Sequence, residues 1–591
     1  MSKPYKGFRP DWQEKRAPAG SYRSILKWGH PDEFKVPKES LYKMMKKIFL
    51  MTDEEFKTPK ETGYEKVDFD VPIKLTEKQI KVFEDIVGKE NVKRDCYSRL
   101  SVAYGKTMHD LMRLRKHVVE NIPDIVLYPD NSQEIEKIVA YCEEQQIPVY
   151  VYGGGSSVTR GVECIKGGIS LDMRPRFNKV IKFNELNQTI TVQAGMSGPD
   201  LEKHLNNAVT EFNAKMAYTC GHFPQSFEYS SVGGWTVTRG AGQNSTYYGK
   251  IEHLVLGQEY VTPKGGKIVT DDYPAKATGP DVNQLMMGNE GTFGILTHVT
   301  LRFFRYMPEN RIKFSYIFKN WADAQAAARE IMQGEFGFPS VFRLSDPEET
   351  ELMMRLYGVD DIPLVIKFLE KTGYPTFDLE RAMKGENVDG KCMFLGWTEG
   401  EKGMCKNQAK MVRKVCRKYK AMPLGSFPVK GWEKGRFRDP YLRDSMQDFG
   451  IMTDTLECTV NWDNMPKVHE MVRTYCKSRP NTICTSHMSH AYPQGANLYF
   501  IFITKMNELD DYLQYHRGIL DHIQKSGAAI SHHHGIGKMF APWLEGQIGT
   551  NQMEIFKVLK NHFDPNNIMN PGGTLGLDLT EEQKRFIRPK W

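Results

Sequence analysis

Val149-Tyr150-Val151-Tyr152-Gly153-Gly154-Gly155-Ser156-Ser157-Val158-Thr159-Arg160-Gly161 sets three glycines directly behind an apolar, aromatic run. The run reads as a β-strand. Glycines let main-chain N–H groups approach and surround an anion such as a diphosphate, and Ser156 and Ser157 add hydroxyl donors. The stretch is not a GxGxxG turn, and no Walker lysine follows it. A glycine-rich turn alone is usually only a turn, so its meaning depends on its surroundings.

Those surroundings are α/β in pattern from about residue 95. Ile125-Val126-Leu127-Tyr128 is a short apolar run ahead of Pro129, hence a strand. Ser132 is the expected cap of a helix that carries Ile135, Ile138, Val139 and Cys142 on one face. Further strands are expected at 169–172, 189–194, 254–261 and 296–304. After Pro308 the character changes. Residues 309–525 alternate helical stretches with runs such as Lys313–Phe318, Leu456–Val460 and Leu498–Ile503, which predicts a second, α+β domain. The tail carries Ser531-His532-His533-His534-Gly535-Ile536-Gly537-Lys538 and then Asp564-Pro565-Asn566-Asn567-Ile568-Met569-Asn570-Pro571-Gly572. The expected organisation is a helical N-terminal region over 1–90, a first domain over 91–306, a substrate or cap domain over 307–525, and a C-terminal segment over 526–591 that returns to the site.

The whole-chain numbers agree with several ordinary globular domains. There are 591 residues, 40% hydrophobic and 26% charged, too many for one core. A net charge of +7 suits anionic ligands or a membrane surface and is no signature of nucleic acid. Ten cysteines are scattered with no CxxC pair, which argues against a zinc ribbon or an internal iron–sulfur cluster. With no secretory core at Met1–Pro10, no peroxisomal address in Pro589-Lys590-Trp591 and no apolar run of spanning length, a cytoplasmic protein is expected. Leu41–Met51 mixes apolar and cationic residues at helical spacing. It reads as a helix packed on the protein with lysines outward, with a peripheral membrane contact as the alternative.

Around the glycine loop the order of motifs is distinctive. Ile122-Pro123-Asp124-Ile125-Val126 precedes it. Ala194-Gly195, Gly221-His222-Phe223-Pro224-Gln225-Ser226-Phe227-Glu228, Ser230-Ser231-Val232-Gly233-Gly234-Trp235, Thr238-Arg239 and Gly288-Asn289-Glu290-Gly291-Thr292-Phe293-Gly294-Ile295 follow. This series resembles the FAD-binding (PCMH-type) domain of the vanillyl-alcohol-oxidase family. With Arg343-Leu344, Tyr441-Leu442-Arg443-Asp444, Gly495-Ala496-Asn497-Leu498-Tyr499-Phe500 and the triple histidine, the chain is similar to the alkyldihydroxyacetonephosphate synthase family from about residue 20 onward. In the hydroxy-acid dehydrogenases of the wider flavin family the matching motif more often reads Glu-His-Gly, so the triple histidine favours the synthases.

The resemblance implies an α+β fold: a two-part FAD-binding domain, a cap domain and a helical N-terminal region. It implies FAD held without a covalent bond by Gly153, Gly154, Gly155, Ser156, Ser157, Pro224, Ser231, Gly233, Gly234, Thr238, Glu290, Gly291 and Ile295. It implies exchange of the acyl group of acyl-dihydroxyacetone phosphate for a long-chain alkyl ether from a fatty alcohol, without net redox, in a homodimer. Tyr499 is then the candidate base. Its reference pKa near ~10 has to be lowered by neighbours, and His532, His533 and His534 are expected to do that and to shuttle the proton. Arg343 is expected to orient a carboxylate or phosphate. No metal is expected, because three consecutive side chains rarely converge on one ion. The rival readings are a flavin dehydrogenase or oxidase of a 2-hydroxy acid or related alcohol, and an electron-transfer subunit of a larger complex.

Overall fold

The computed structural model describes residues 10, 12–356, 369–374, 377–383, 386 and 388–580. The two chain ends, on which the reading of targeting signals rests, lie outside the described residues.

The first domain is built on two sheets. A four-stranded sheet runs Val92–Lys93, Ile125–Leu127, Ile169–Asp172, Val149–Tyr152, and its last three strands are parallel. All three are short and apolar, as strands covered on both faces must be. The helix Ser132–Gln145 covers them with Ile135, Ile138, Val139 and Cys142. Its cap is Asn131, whose side chain accepts from Glu134 N–H, and not the expected Ser132. The Ser132 hydroxyl instead donates to Glu259. The second sheet is antiparallel, in the order Val180–Asn184, Thr189–Gln193, Ile295–Arg302, Val255–Thr262, Gly266–Val269.

The second domain holds a seven-stranded antiparallel sheet: Met422–Pro423, Ile312–Phe318, Cys392–Thr398, Val341–Ser345, Ile483–Ser489, Gly495–Lys505, Ile451–Asn461. Strand alternation divides its residues between two destinations. Phe342, Leu344, Leu456, Cys458, Met488, Leu498 and Phe500 enter a large hydrophobic core. Arg343, Thr453, Thr455, His487, Ser489, Tyr499 and Ile501 line a cavity on the other side. The helix Lys402–Lys418 packs on the core side through Val412, Val415 and Cys416. Lys402, Lys406, Lys410, Arg413, Lys414 and Arg417 are exposed, and at about 100° per residue they fall within one arc of roughly 120°. None of these six makes an ion pair among the described residues.

Among the described residues the N-terminal region has no core of its own. Tyr22–Leu26 joins the large core of the second domain, and Glu77–Val87 covers the four-stranded sheet. Glu39–Ile48 buries Leu41, Tyr42, Met44, Met45 and Ile48 against Phe449, Ile451, Ile483 and Ile503. Its apolar face is therefore spent inside the protein, and Lys43, Lys46 and Lys47 point outward to Glu39, Asp53 and Glu380. Among the described residues no helix is long and apolar enough to cross a membrane.

Candidate active site

The cavity lies between the glycine loop and the polar face of the seven-stranded sheet. Gly153, Gly154, Gly155, Ser156, Ser157, Pro224, Ser231, Gly233, Gly234, Thr238, Glu290 and Gly291 line one side; Arg343, His487, His490, Tyr499, His533 and His534 line the other.

On the first side, main chain packs on main chain. A Cβ on Gly154 would sit 2.2 Å from Tyr229 O and 2.6 Å from Ser230 Cα; one on Gly233 would sit 2.7 Å from Ala194 O. Only glycine allows the loop to meet the start of the helix Val232–Val237, where Ser231 accepts from Gly234 N–H. Among the described residues, no protein acceptor takes the main-chain N–H groups of 153–158. A row of free donors beside glycines is what a diphosphate requires. The Ser157 hydroxyl oxygen is partly used by the loop itself, accepting from Gly161 N–H at 2.9 Å. Ile295 does not reach the cavity. It is buried in the core with Val261, and its neighbours Gly294 and Leu296 take the lining positions because strand residues alternate.

Glu290 joins the tail to this side. Its carboxylate accepts Ile536 N–H at 2.6 Å and Gly537 N–H at 2.7 Å, and burial pushes its pKa up to about 7 despite these donors. The tail also adds a rung to the parallel sheet: Val149 N–H donates to Ile568 O at 2.7 Å, and Asn570 N–H donates to Val149 O at 2.9 Å.

On the other side the polar groups come from several strands. His487 and Tyr499 are register partners and their rings stack at 5.0 Å. Arg343 Nη1 lies 3.1 Å from His487 Nε2, Arg343 Nη2 donates to Glu349 at 2.8 Å, and His487 Nδ1 lies 2.9 Å from Glu349. Because a guanidinium only donates, His487 must accept at Nε2 and donate from Nδ1 to the carboxylate. Burial alone would raise the Glu349 pKa, but Arg343 and His487 outweigh it and hold it down at about 2.

The Tyr499 hydroxyl donates to Thr455 Oγ1 at 3.0 Å. Burial pushes its pKa up to about 12, so the expected lowering does not occur. The reason is that the surrounding imidazoles are neutral: desolvation drives His533 and His532 well below the usual histidine range and lowers His534 and His487, and it takes His490 to about 3. His533 and His534 face the cavity, with Tyr499 against both rings at 6.1 and 5.6 Å. His532 stands one step behind, with Nε2 2.7 Å from the Tyr492 hydroxyl and its ring stacked on His490. Glu457, His532 and His533 bring ligand atoms within 4.8 Å of one another. Both carboxylate oxygens also accept main-chain N–H groups.

Comparison with known proteins gives the same architecture a name. A family profile described as an FAD binding domain matches residues 123–271, and one described as the C-terminal domain of FAD linked oxidases matches residues 307–574. The alkyldihydroxyacetonephosphate synthase of Dictyostelium discoideum is 31% identical over 92% of this chain and 88% of its own length. The chain belongs to the alkyldihydroxyacetonephosphate synthase family. The synthase of Trypanosoma brucei brucei is 28% identical over 93% of this chain and 89% of its own. A solved alkyldihydroxyacetonephosphate synthase structure superposes with a TM-score of 0.76 at 26% identity, covering 93% of this chain and 98% of the other. As a member of that family the chain is an FAD-dependent enzyme with a two-part FAD-binding domain and a cap. The free donors of 153–158 and the closely packed glycines fit the cofactor's diphosphate. Four polar residues of the cap side, Glu349, Glu457, His487 and His490, escaped the sequence reading. A carboxylate inside the apolar run Leu456–Val460 was the signal available for Glu457.

Proposed function

We propose that this enzyme exchanges the acyl group of acyl-dihydroxyacetone phosphate for a long-chain alkyl ether, with no net redox. The observation that supports it best is the convergence of Arg343, Tyr499, His533 and His534 on one cavity facing the glycine loop. FAD, when bound, supplies the covalent-carrier chemistry of the exchange. The protein's part is to bind, orient and move a proton. Arg343, its fork fixed by Glu349 and His487, pairs with the departing carboxylate or the phosphate. The neutral imidazoles of His533 and His534 have lone pairs able to take a proton from the carbon beside the ketone. Tyr499, protonated at neutral pH, relays that proton through its hydroxyl.

Anaerobic mixing with palmitoyl-dihydroxyacetone phosphate and labelled hexadecanol tests this reading. Palmitate release with a labelled ether product and no net reduction of the flavin is expected. Reduction by a 2-hydroxy acid, with no ether formed, would establish the dehydrogenase reading instead.

The membrane contact belongs, in this proposal, to the six exposed cations of Lys402–Lys418. Cations near an anionic bilayer contribute about 1 kcal/mol each. A homodimer is proposed from the resemblance alone. A reducing, cytoplasmic compartment is proposed from ten free cysteines, nine of them buried.

A further inference from the structure

Glu457 is 1% exposed, and it lies directly opposite Tyr499 in the register of Ile451–Asn461 with Gly495–Lys505. His487 lies opposite Tyr499 on the other flank. Three neighbouring strands thus set a carboxylate, a phenol and an imidazole in one row on the cavity side of the sheet. The carboxylate does not point into open space. Glu457 Oε1 accepts main-chain N–H from His532, His533 and His534, each at 3.0 Å, and the Ser531 hydroxyl at 3.1 Å. Oε2 accepts His532 N–H at 2.8 Å and Asn497 Nδ2–H at 3.3 Å. Three successive N–H groups aimed at one anion form a nest. Here the anion belongs to the protein, and the loop it gathers is the histidine run.

We propose that Glu457 is a positioning residue that locks the 531–534 loop onto the sheet and so fixes His533 and His534 against Tyr499. The loop is not part of the sheet, and the Ser531–His534 stretch has no regular secondary structure. Ala529 bridges Thr459 ahead of the loop and Lys250 Nζ donates to His532 O, but the side chain that belongs to the Tyr499 row and bonds every main-chain N–H of the three histidines is that of Glu457. A displacement of about 1 Å at reacting groups is enough to cost roughly a hundredfold in rate. The charge also reaches the rings: His533 Nδ1 is 3.7 Å and His534 Nδ1 3.9 Å from the carboxylate. Other groups that face these rings are His490, Lys250 and His532, together with Tyr499 and, toward His534, His516.

The test uses FAD-loaded full-length protein and two variants, Glu457→Gln and Glu457→Asp, and its first readout is independent of turnover. Hydrogen–deuterium exchange of the peptide covering 531–534 should be at least about tenfold faster in Glu457→Gln, because the amide turns N–H donors toward the donors of His532 and Asn497. Exchange in Leu509–Lys525 should stay unchanged. For the exchange reaction proposed above, kcat should fall at least about tenfold with KM within about twofold. The acid limb of kcat should move to lower pH in Glu457→Gln, because an anion near His533 and His534 is gone. Glu457→Asp keeps the charge and should restore that limb while remaining slow. Wild-type exchange at 531–534 in Glu457→Gln overturns the proposal. If that variant fails to fold, a folded Glu457→Asp with wild-type kcat overturns it. A wild-type enzyme without ether chemistry would refute the functional reading and leave the exchange experiment to decide this one.

Discussion

Tyr499 shows how a single residue resists reading from sequence. Its neighbours in Gly495–Phe500 marked it as a candidate, but not whether those neighbours are charged. Burial decides that: it removes the charge from His532, His533 and His534 and keeps the phenol protonated. Tyr499→Phe keeps the ring packed on His487 and deletes only the hydroxyl. Turnover should fall by roughly a hundredfold while FAD content holds. His533→Ala should slow the same step, and the double variant should lose much less than the product of the two losses. A fully active Tyr499→Phe would make it a packing aromatic. The pH profile follows from the same directions. Histidines lowered by burial stay neutral below the usual titration range, so the acid limb should be displaced to the acid side of an ordinary histidine. A phenol near 12 predicts no alkaline limb from Tyr499 between pH 7 and 10. An alkaline limb there that disappears in Tyr499→Phe would contradict it.

At the level of elements, the strands were the most legible part. The runs at 125–128, 148–152, 169–172 and 313–318 are short, apolar and bounded by turn residues, and the structure places strands at each. Capping was less legible: Asn131 and Ser132 are both good caps, and only the backbone tells which one takes Glu134 N–H. The side chain of Ile295 points into the core because strand residues alternate. Glu349 and His487 could not be found at all, since they meet Arg343 only through the pairing of strands distant in sequence. The glycine loop supplies a test of its own. Gly154→Ala drives a methyl into Tyr229 O and Ser230 Cα, main-chain atoms that cannot swing aside. Overpacking of this kind costs roughly 1–3 kcal/mol, and the flavin-to-protein ratio should drop with the melting temperature. Gly431→Ala, outside the cavity, meets nothing within 4 Å and should be mild. Equal flavin content in the two variants would show that close packing of the loop is not what the cofactor needs.

Across the whole molecule, charge and burial decide where a membrane can be met. The Glu39–Ile48 helix buries its apolar face on the cap, whereas Lys402–Lys418 offers a cationic stripe over Lys402–Arg417 with no ion pair among the described residues. Replacing Lys406, Lys410 and Lys414 with Glu should weaken sedimentation with phosphatidylserine vesicles by roughly a hundredfold at low salt. Vesicles of phosphatidylcholine alone should bind neither protein. Undiminished binding of the triple variant would exclude this helix.

The tail has a consequence for how the enzyme comes into being. Ile568 and Asn570 hydrogen-bond to Val149, the first residue of the strand that leads into the glycine loop, and Glu290 waits for Ile536 and Gly537. A chain emerging from the ribosome therefore carries both walls of its cofactor pocket long before the pieces that close them exist. The flavin has to be captured after synthesis has passed residue 570, and nascent chains stalled ahead of that point should be colourless.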